Sequence, residues 1–168
     1  MEQIKLAEKS FEPNIDYILS DIMLDELPCS HIVIAPFVLG YCNDIDTLRH
    51  LCTKIYNSIY SCGRFVGVID LPSGENLKKF GATKILHKKE RGSEVEIILS
   101  DGSSPICTLW ATYFSPETIT SLLAKIDFQN IQFHKPIISD DGLREMPRGY
   151  WDGYIDNSEL GYFTAIKR

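Results

Sequence analysis

The sequence predicts an α/β domain, a mostly parallel sheet covered by helices, and two observations predict it. The runs His31-Ile32-Val33-Ile34-Ala35-Pro36 and Arg64-Phe65-Val66-Gly67-Val68-Ile69-Asp70 are apolar on both faces, the pattern of strands buried in a parallel sheet. Between them lies an amphipathic helical segment, the kind of crossover that parallel strands require. The first strand runs straight into Phe37-Val38-Leu39-Gly40-Tyr41. In open sheets of this kind ligands sit at the carboxyl ends of the strands, so Pro36 to Tyr41 stand where chemistry is expected.

The elements follow in order. Residues 2–10 read as the tail of an amphipathic helix, with Ile4, Leu6 and Ala7 inward. Residues 14–20 alternate and are rich in Ile and Tyr, which predicts a strand ending at Asp21. After strand 31–36, Asp44 or Asp46 caps a helix whose Leu48, Leu51, Ile55 and Ile59 share one face, and Gly63 is its left-handed terminator. Pro72-Ser73-Gly74 breaks the pattern after strand 64–70. Residues 83–89 and 94–99 flank Glu90-Arg91-Gly92-Ser93 as a hairpin, and Asp101-Gly102 turns the chain into strand 106–114. Residues 82–114 thus read as an antiparallel hairpin insertion laid over the sheet's edge. Ser115-Pro116-Glu117 opens a helix with a hydroxyl cap, a proline and an acid, and Ile119, Leu122, Leu123 and Ile126 form its buried face. Strands at 130–134 and 161–167 finish the chain.

A length of 168 residues suits one domain. A net charge of -6 argues against a nucleic-acid partner, which calls for a basic face. Lys78, Lys79, Lys84, Lys88, Lys89 and Arg91 crowd one region and read as a solvated face. The five cysteines are odd in number and form no C-x-x-C pair, which speaks against a zinc site or a disulfide framework, and no metal is expected. With no signal-like start and no long apolar run, the expectation is a reduced cytoplasmic protein without a membrane partner.

Several pieces in order carry a family resemblance. The stretch His31 to Tyr41, then Thr47-Leu48-Arg49, then Ile59-Tyr60-Ser61-Cys62-Gly63-Arg64-Phe65-Val66-Gly67-Val68 resembles the second half of a class I S-adenosylmethionine-dependent methyltransferase. Cys62-Gly63 stands where that family usually has Gly-Gly. The run Tyr113 to Thr118, then Phe128 and Ile131, then Tyr150-Trp151 resembles small-molecule methyltransferases of the toxoflavin-synthase type. The resemblance implies a Rossmann-like, mostly parallel sheet with helices on both faces. It implies S-adenosylmethionine as cofactor and a small molecule as substrate. It places Asp21 and Ile22 beside the adenine, where a carboxylate accepts from the amino group; the other reading of Asp21 is a cap for residues 22–27. It sets Ala35, Pro36 and Phe37 near the sulfonium and Tyr41 against cofactor or substrate, with core packing as the alternative for residues 37–39.

The family's glycine-rich turn after its first strand has no counterpart, since the sequence contains no G-x-G. Within the resemblance, Met1 to Glu8 corresponds to the helix just after the ribose-binding acid. The chain therefore reads as N-terminally truncated, one domain over 1–168 lacking the first two strands and the glycine-rich loop. Strand 31–36 would then have an unpartnered edge, which recruits another chain. A homodimer or a complementing N-terminal chain is the expected partner.

If the protein is an enzyme, the expected reaction is in-line methyl transfer, for which the protein supplies mainly proximity. His134 is the candidate base or else an ordinary partly buried histidine. Trp110, Tyr113, Phe114, Tyr150 and Trp151 either wall a pocket for a flat acceptor or pack the insertion. The competing expectation is a catalytically inactive remnant or subunit that works by binding a partner chain.

Overall fold

A computed structural model describes Leu6 and residues 14–73, 78–89 and 92–168. Four strands form the main sheet: β1 (Ser30–Pro36), β2 (Ile59–Asp70), β6 (Phe128–His134) and β7 (Leu160–Lys167), in the spatial order β1-β2-β7-β6. β1 and β2 are parallel, with Val33 opposite Phe65 and Ala35 opposite Gly67. β7 runs antiparallel to both its neighbours. The sheet is therefore mixed, with one parallel pair, and the expectation of a mostly parallel sheet is corrected. The cause is the connection over residues 135–159: β7 starts at the end where β6 stops, and antiparallel neighbours need only such a return.

Helix α1 (Ile45–Ser58) begins at Asp44, whose carboxylate accepts from Thr47 N at 2.7 Å. Helix α2 (Pro116–Lys125) begins at Ser115, whose hydroxyl accepts from Thr118 N. Each cap satisfies a backbone donor that the first helical turn leaves free. Leu48, Leu51, Cys52 and Ile55 of α1 and Ile119, Leu122 and Leu123 of α2 share one core with Ala35, Phe65, Ile69, Phe163 and Ala165. Those strand residues lie on a single face, so both helices cover the same side. Helices on both faces were expected; among the described residues the second face carries none, and Ile32 and Ile34 there are 57% and 67% exposed.

Three further expectations are corrected. Residues 15–20 form no strand. Alternation supplies a strand's two faces but no partner for its backbone, and among the described residues β1 ends the sheet on that side. Gly63 does not close α1, which ends at Ser58; it lies within β2. A β-carbon there would meet His31 O at 2.7 Å and Tyr60 O at 2.8 Å, so glycine is required for close backbone approach. Cys62 beside it takes a positive φ of 63°. The predicted helix over 2–10 falls outside the described residues except for Leu6.

β3 (Ala82–Lys89), β4 (Gly92–Ser100) and β5 (Pro105–Tyr113) make a separate antiparallel sheet, with Lys89 paired to Gly92 and Leu99 to Cys107. It does not lie along the sheet's edge as expected. It stands at the carboxyl ends of β1 and β2, where a β-carbon on Gly40 would touch Ala111 Cβ at 3.1 Å. A short helix α3 (Asp140–Glu145), capped by Ser139, is held by Trp151 Nε1 donating to Gly142 O at 2.9 Å. Among the described residues no helix is long and apolar enough to cross a membrane.

Candidate functional site

The small sheet, set against the carboxyl ends of β1 and β2, encloses a cavity of about 430 Å³, a size suited to a small organic ligand. Phe37 and Tyr41 line it from the segment after β1, and Asp70 from the last position of β2. Ile97, Leu99, Leu109 and Trp110 line it from β4 and β5, and Phe80 and Leu160 complete the apolar wall.

Phe37 has a positive φ of 61°, a left-handed conformation unusual for a bulky residue and most often found at functional positions. Its N–H donates to Val68 O at 2.8 Å, which carries the parallel ladder one residue past β1 and fixes the turn. The ring is 42% exposed.

One ion pair interrupts the apolar lining. Lys84 Nζ donates to Asp70 Oδ1 at 2.6 Å, with the two side chains 4% and 9% exposed. The same ammonium donates to Glu159 O at 2.7 Å, an oxygen that also accepts from Leu71 N. Burial of this kind is tolerated only where charge and hydrogen bonds are both matched. The reading of Lys84 as part of a solvated basic face is thereby corrected. The Glu159 carboxylate accepts from Ser73 N and Ser73 Oγ at 3.2 and 3.1 Å. Burial nevertheless raises its pKa above the ordinary value, against the lowering effect of those bonds and of Lys84.

The predicted site residues are distributed unevenly. Phe37, Tyr41 and Trp110 meet at the cavity. Ala35 is buried in the core beneath it, and Pro36 ends the strand. Tyr150 and Trp151 instead form an aromatic cluster with Phe80 and Tyr154; Trp151 stacks on Phe80 at 5.7 Å. Lys79 Nζ donates to Tyr150 O at 2.8 Å and Tyr150 Oη to Lys79 O at 2.9 Å. This cluster buttresses the cavity from behind, with Phe80 as the ring that reaches it. Phe114 packs on the main core, and burial raises the pKa of Tyr113.

Asp21 lies at a turn, where Oδ1 accepts from Met23 N at 2.8 Å, so its capping role is present; Ile22 is exposed. His134 stands on β6, at the opposite edge of the sheet from β1, with Nε2 2.9 Å from Thr164 Oγ1. Sequence reasoning missed Asp70, Phe80, Lys84 and Glu159. Asp70 carried a usable signal, a charge on the last position of an apolar strand. Lys84 carried none, because an alternating Lys reads as solvent-facing. Among the described residues no group of three His, Cys, Asp or Glu side chains could hold a metal.

A mixed sheet with its helices on one face and a cavity at the carboxyl ends of its parallel pair defines the class, a mixed α/β domain. No family model matches the chain, and no curated protein matches it in sequence. Solved structures match it in fold. An S-adenosylmethionine-dependent methyltransferase from Mesorhizobium loti aligns with 99% of this chain and 76% of its own, at 12% identity and a TM-score of 0.63. An amino pentose methyltransferase from Micromonospora echinaspora, solved with S-adenosylmethionine bound, aligns over 99% and 70% at 11% identity and a TM-score of 0.61. Human N-acetylserotonin methyltransferase in complex with S-adenosylmethionine aligns over 98% of this chain at 17% identity and a TM-score of 0.57. The chain spans 37% of that last protein. The fold is thus one that S-adenosylmethionine-dependent methyltransferases use.

Proposed function

We propose that the chain transfers a methyl group from S-adenosylmethionine to a small molecule. The observation that carries this reading is the apolar cavity at the carboxyl ends of β1 and β2, in a fold that methyltransferases share. The residues present fit two parts of such a cofactor. Asp21 has spent only Oδ1 on its turn, leaving Oδ2 to accept from an adenine amino group. Ala35, Pro36 and Phe37 offer the apolar strand end that suits a methyl sulfonium, with the Tyr41 ring nearby. When bound, the cofactor supplies a methyl already activated on sulfur. The chain then has to align the acceptor for in-line attack, for which Phe37, Leu109 and Trp110 supply apolar walls. Five free thiols support placing this activity in the reducing cytoplasm.

Calorimetric titration with S-adenosylmethionine, followed by transfer of labelled methyl to a panel of small aromatic acceptors, tests the reading. Saturable binding and labelled product support it; a purified, folded protein that binds no cofactor at millimolar concentration overturns it.

A second reading, work by binding a partner chain, is favoured by the edge of β1, which no other strand among the described residues pairs, and by the exposed Ile32 and Ile34 beside it. The occupant this edge suits is a polypeptide that adds a strand with apolar residues at alternate positions. The solved structures that match nearly all of this chain are aligned over 76% and 70% of their own length, so each carries further chain beside the shared fold. Sedimentation of the protein alone and with alternating apolar peptides distinguishes the cases. A one-to-one peptide complex supports this occupant; a self-dimer that ignores the peptides, or a bare monomer, overturns it.

A further inference from the structure

Among the described residues, Asp70 and Lys84 are the pair of charges that lines the cavity. Among the described residues no buried side-chain oxygen or nitrogen lacks a hydrogen-bond partner. Asp70 is bonded through Oδ1 alone, so Oδ2 is open to the space it lines. Lys84 spends two hydrogens, on Asp70 and on Glu159 O, and keeps a third, with the Phe37 ring 5.9 Å from its nitrogen. An acceptor and a donor thus sit side by side in an otherwise apolar cavity.

We propose that this pair receives a hydroxyl group, with Asp70 Oδ2 as the proton acceptor, and that the cavity's substrate is a flat, neutral molecule bearing one weakly acidic hydroxyl. The inference rests on the methyl-transfer reading for its chemical step. A carboxylate ligand would meet Asp70, and an ammonium ligand would meet Lys84. A neutral hydroxyl matches both, donating to Oδ2 and accepting from the remaining Lys84 hydrogen. In the step, an oxygen lone pair of the acceptor forms the new O–CH3 bond and the S–CH3 bond of the sulfonium donor breaks. Its electron pair stays on sulfur, which becomes a neutral thioether, and the hydroxyl proton passes to Asp70 Oδ2. Lys84 holds the negative charge developing on oxygen, in a site where such charge-matching counts most.

The test uses 2-naphthol, a fluorescent photoacid that emits as naphtholate when a base, bulk water included, takes its proton within the excited-state lifetime; emission is therefore read with protein in excess and after subtraction of the free probe. No methyl donor is present, so the result bears on Asp70, whereas failure of the methyl-transfer reading shows separately as absence of cofactor binding. The expected result is that 2-naphthol binds about tenfold or more tightly than naphthalene, the worth of a hydrogen bond to a charged group, and shows naphtholate emission when bound. Asp70→Asn should abolish both the preference and the naphtholate band while leaving naphthalene binding unchanged. Should that variant misfold, Asp70→Leu with Lys84→Met removes the pair without stranding a charge, and the same losses are expected. Equal affinity for the two compounds, or naphtholate emission that survives either substitution, overturns the proposal.

Discussion

The Phe163 ring lies against the bare α-carbon of Gly67, on the register position directly across from it in β7. A β-carbon at residue 67 would fall far inside contact distance of Cε1 and Cζ of that ring. Phe163 is fully buried and stacked edge-on against Phe65, so it has nowhere to go. Gly67→Ala should therefore destabilise the domain by about 1–3 kcal/mol through overpacking. Denaturant unfolding of Gly67→Ala alone and with Phe163→Leu checks this, since the smaller partner should recover part of the loss.

Phe37 is held at a φ that asparagine adopts far more readily than phenylalanine. Phe37→Asn should leave the melting temperature unchanged or raise it, because relief of about 1–2 kcal/mol of left-handed strain offsets the packing of a partly exposed ring. The same change removes one wall of the cavity, so affinity for flat apolar ligands should fall. A melting point lowered by many degrees would show that the ring stabilises the fold instead of serving the cavity.

Glu159 gives the fold a pH dependence of definite sign. Its pKa is raised on folding, chiefly by burial. The native state therefore holds this proton to higher pH than the unfolded chain, and stability falls as pH rises from the ordinary carboxylate value through the raised one. Glu159→Gln keeps an acceptor for Ser73 and removes the charge. It should flatten that decline and raise the melting temperature at neutral pH; melting curves from pH 4 to 8 measure it.

The thiols should separate by burial. Cys29, Cys62 and Cys107 are exposed, while Cys42 and Cys52 are buried. Burial pushes Cys52 up to about 12 and raises Cys42 as well, so neither forms thiolate at neutral pH. Disulfide-exchange titration of the native protein should count three fast thiols and reach five only on unfolding.

Local signals were legible wherever a short range of chain decides the structure. Asp44 and Ser115 cap their helices as their side chains dictate, and the residues at spacings of three and four around Leu48 and Leu122 are buried. The β3–β4 hairpin pairs across its turn in the predicted place. Residues 15–20 and Gly63 misled for one reason: alternation and glycine each describe what a backbone tolerates, and a neighbouring strand decides what it does. Of the five rings expected to wall the pocket only Trp110 lines it; Tyr150 and Trp151 went elsewhere for a related reason, since both found a ring partner in Phe80, far away in sequence.

By itself the order of residues determined the two apolar strands, the helix between them, the insertion and the likeness to methyltransferase folds, because hydrophobic period and capping chemistry act within a turn or two of chain. Only the tertiary structure decided that the sheet is mixed, that its two longer helices cover the same face, and that Lys84 leaves solvent to join Asp70. Those outcomes depend on which segments meet across long stretches of sequence, and on charge matched in space, neither of which any local pattern encodes.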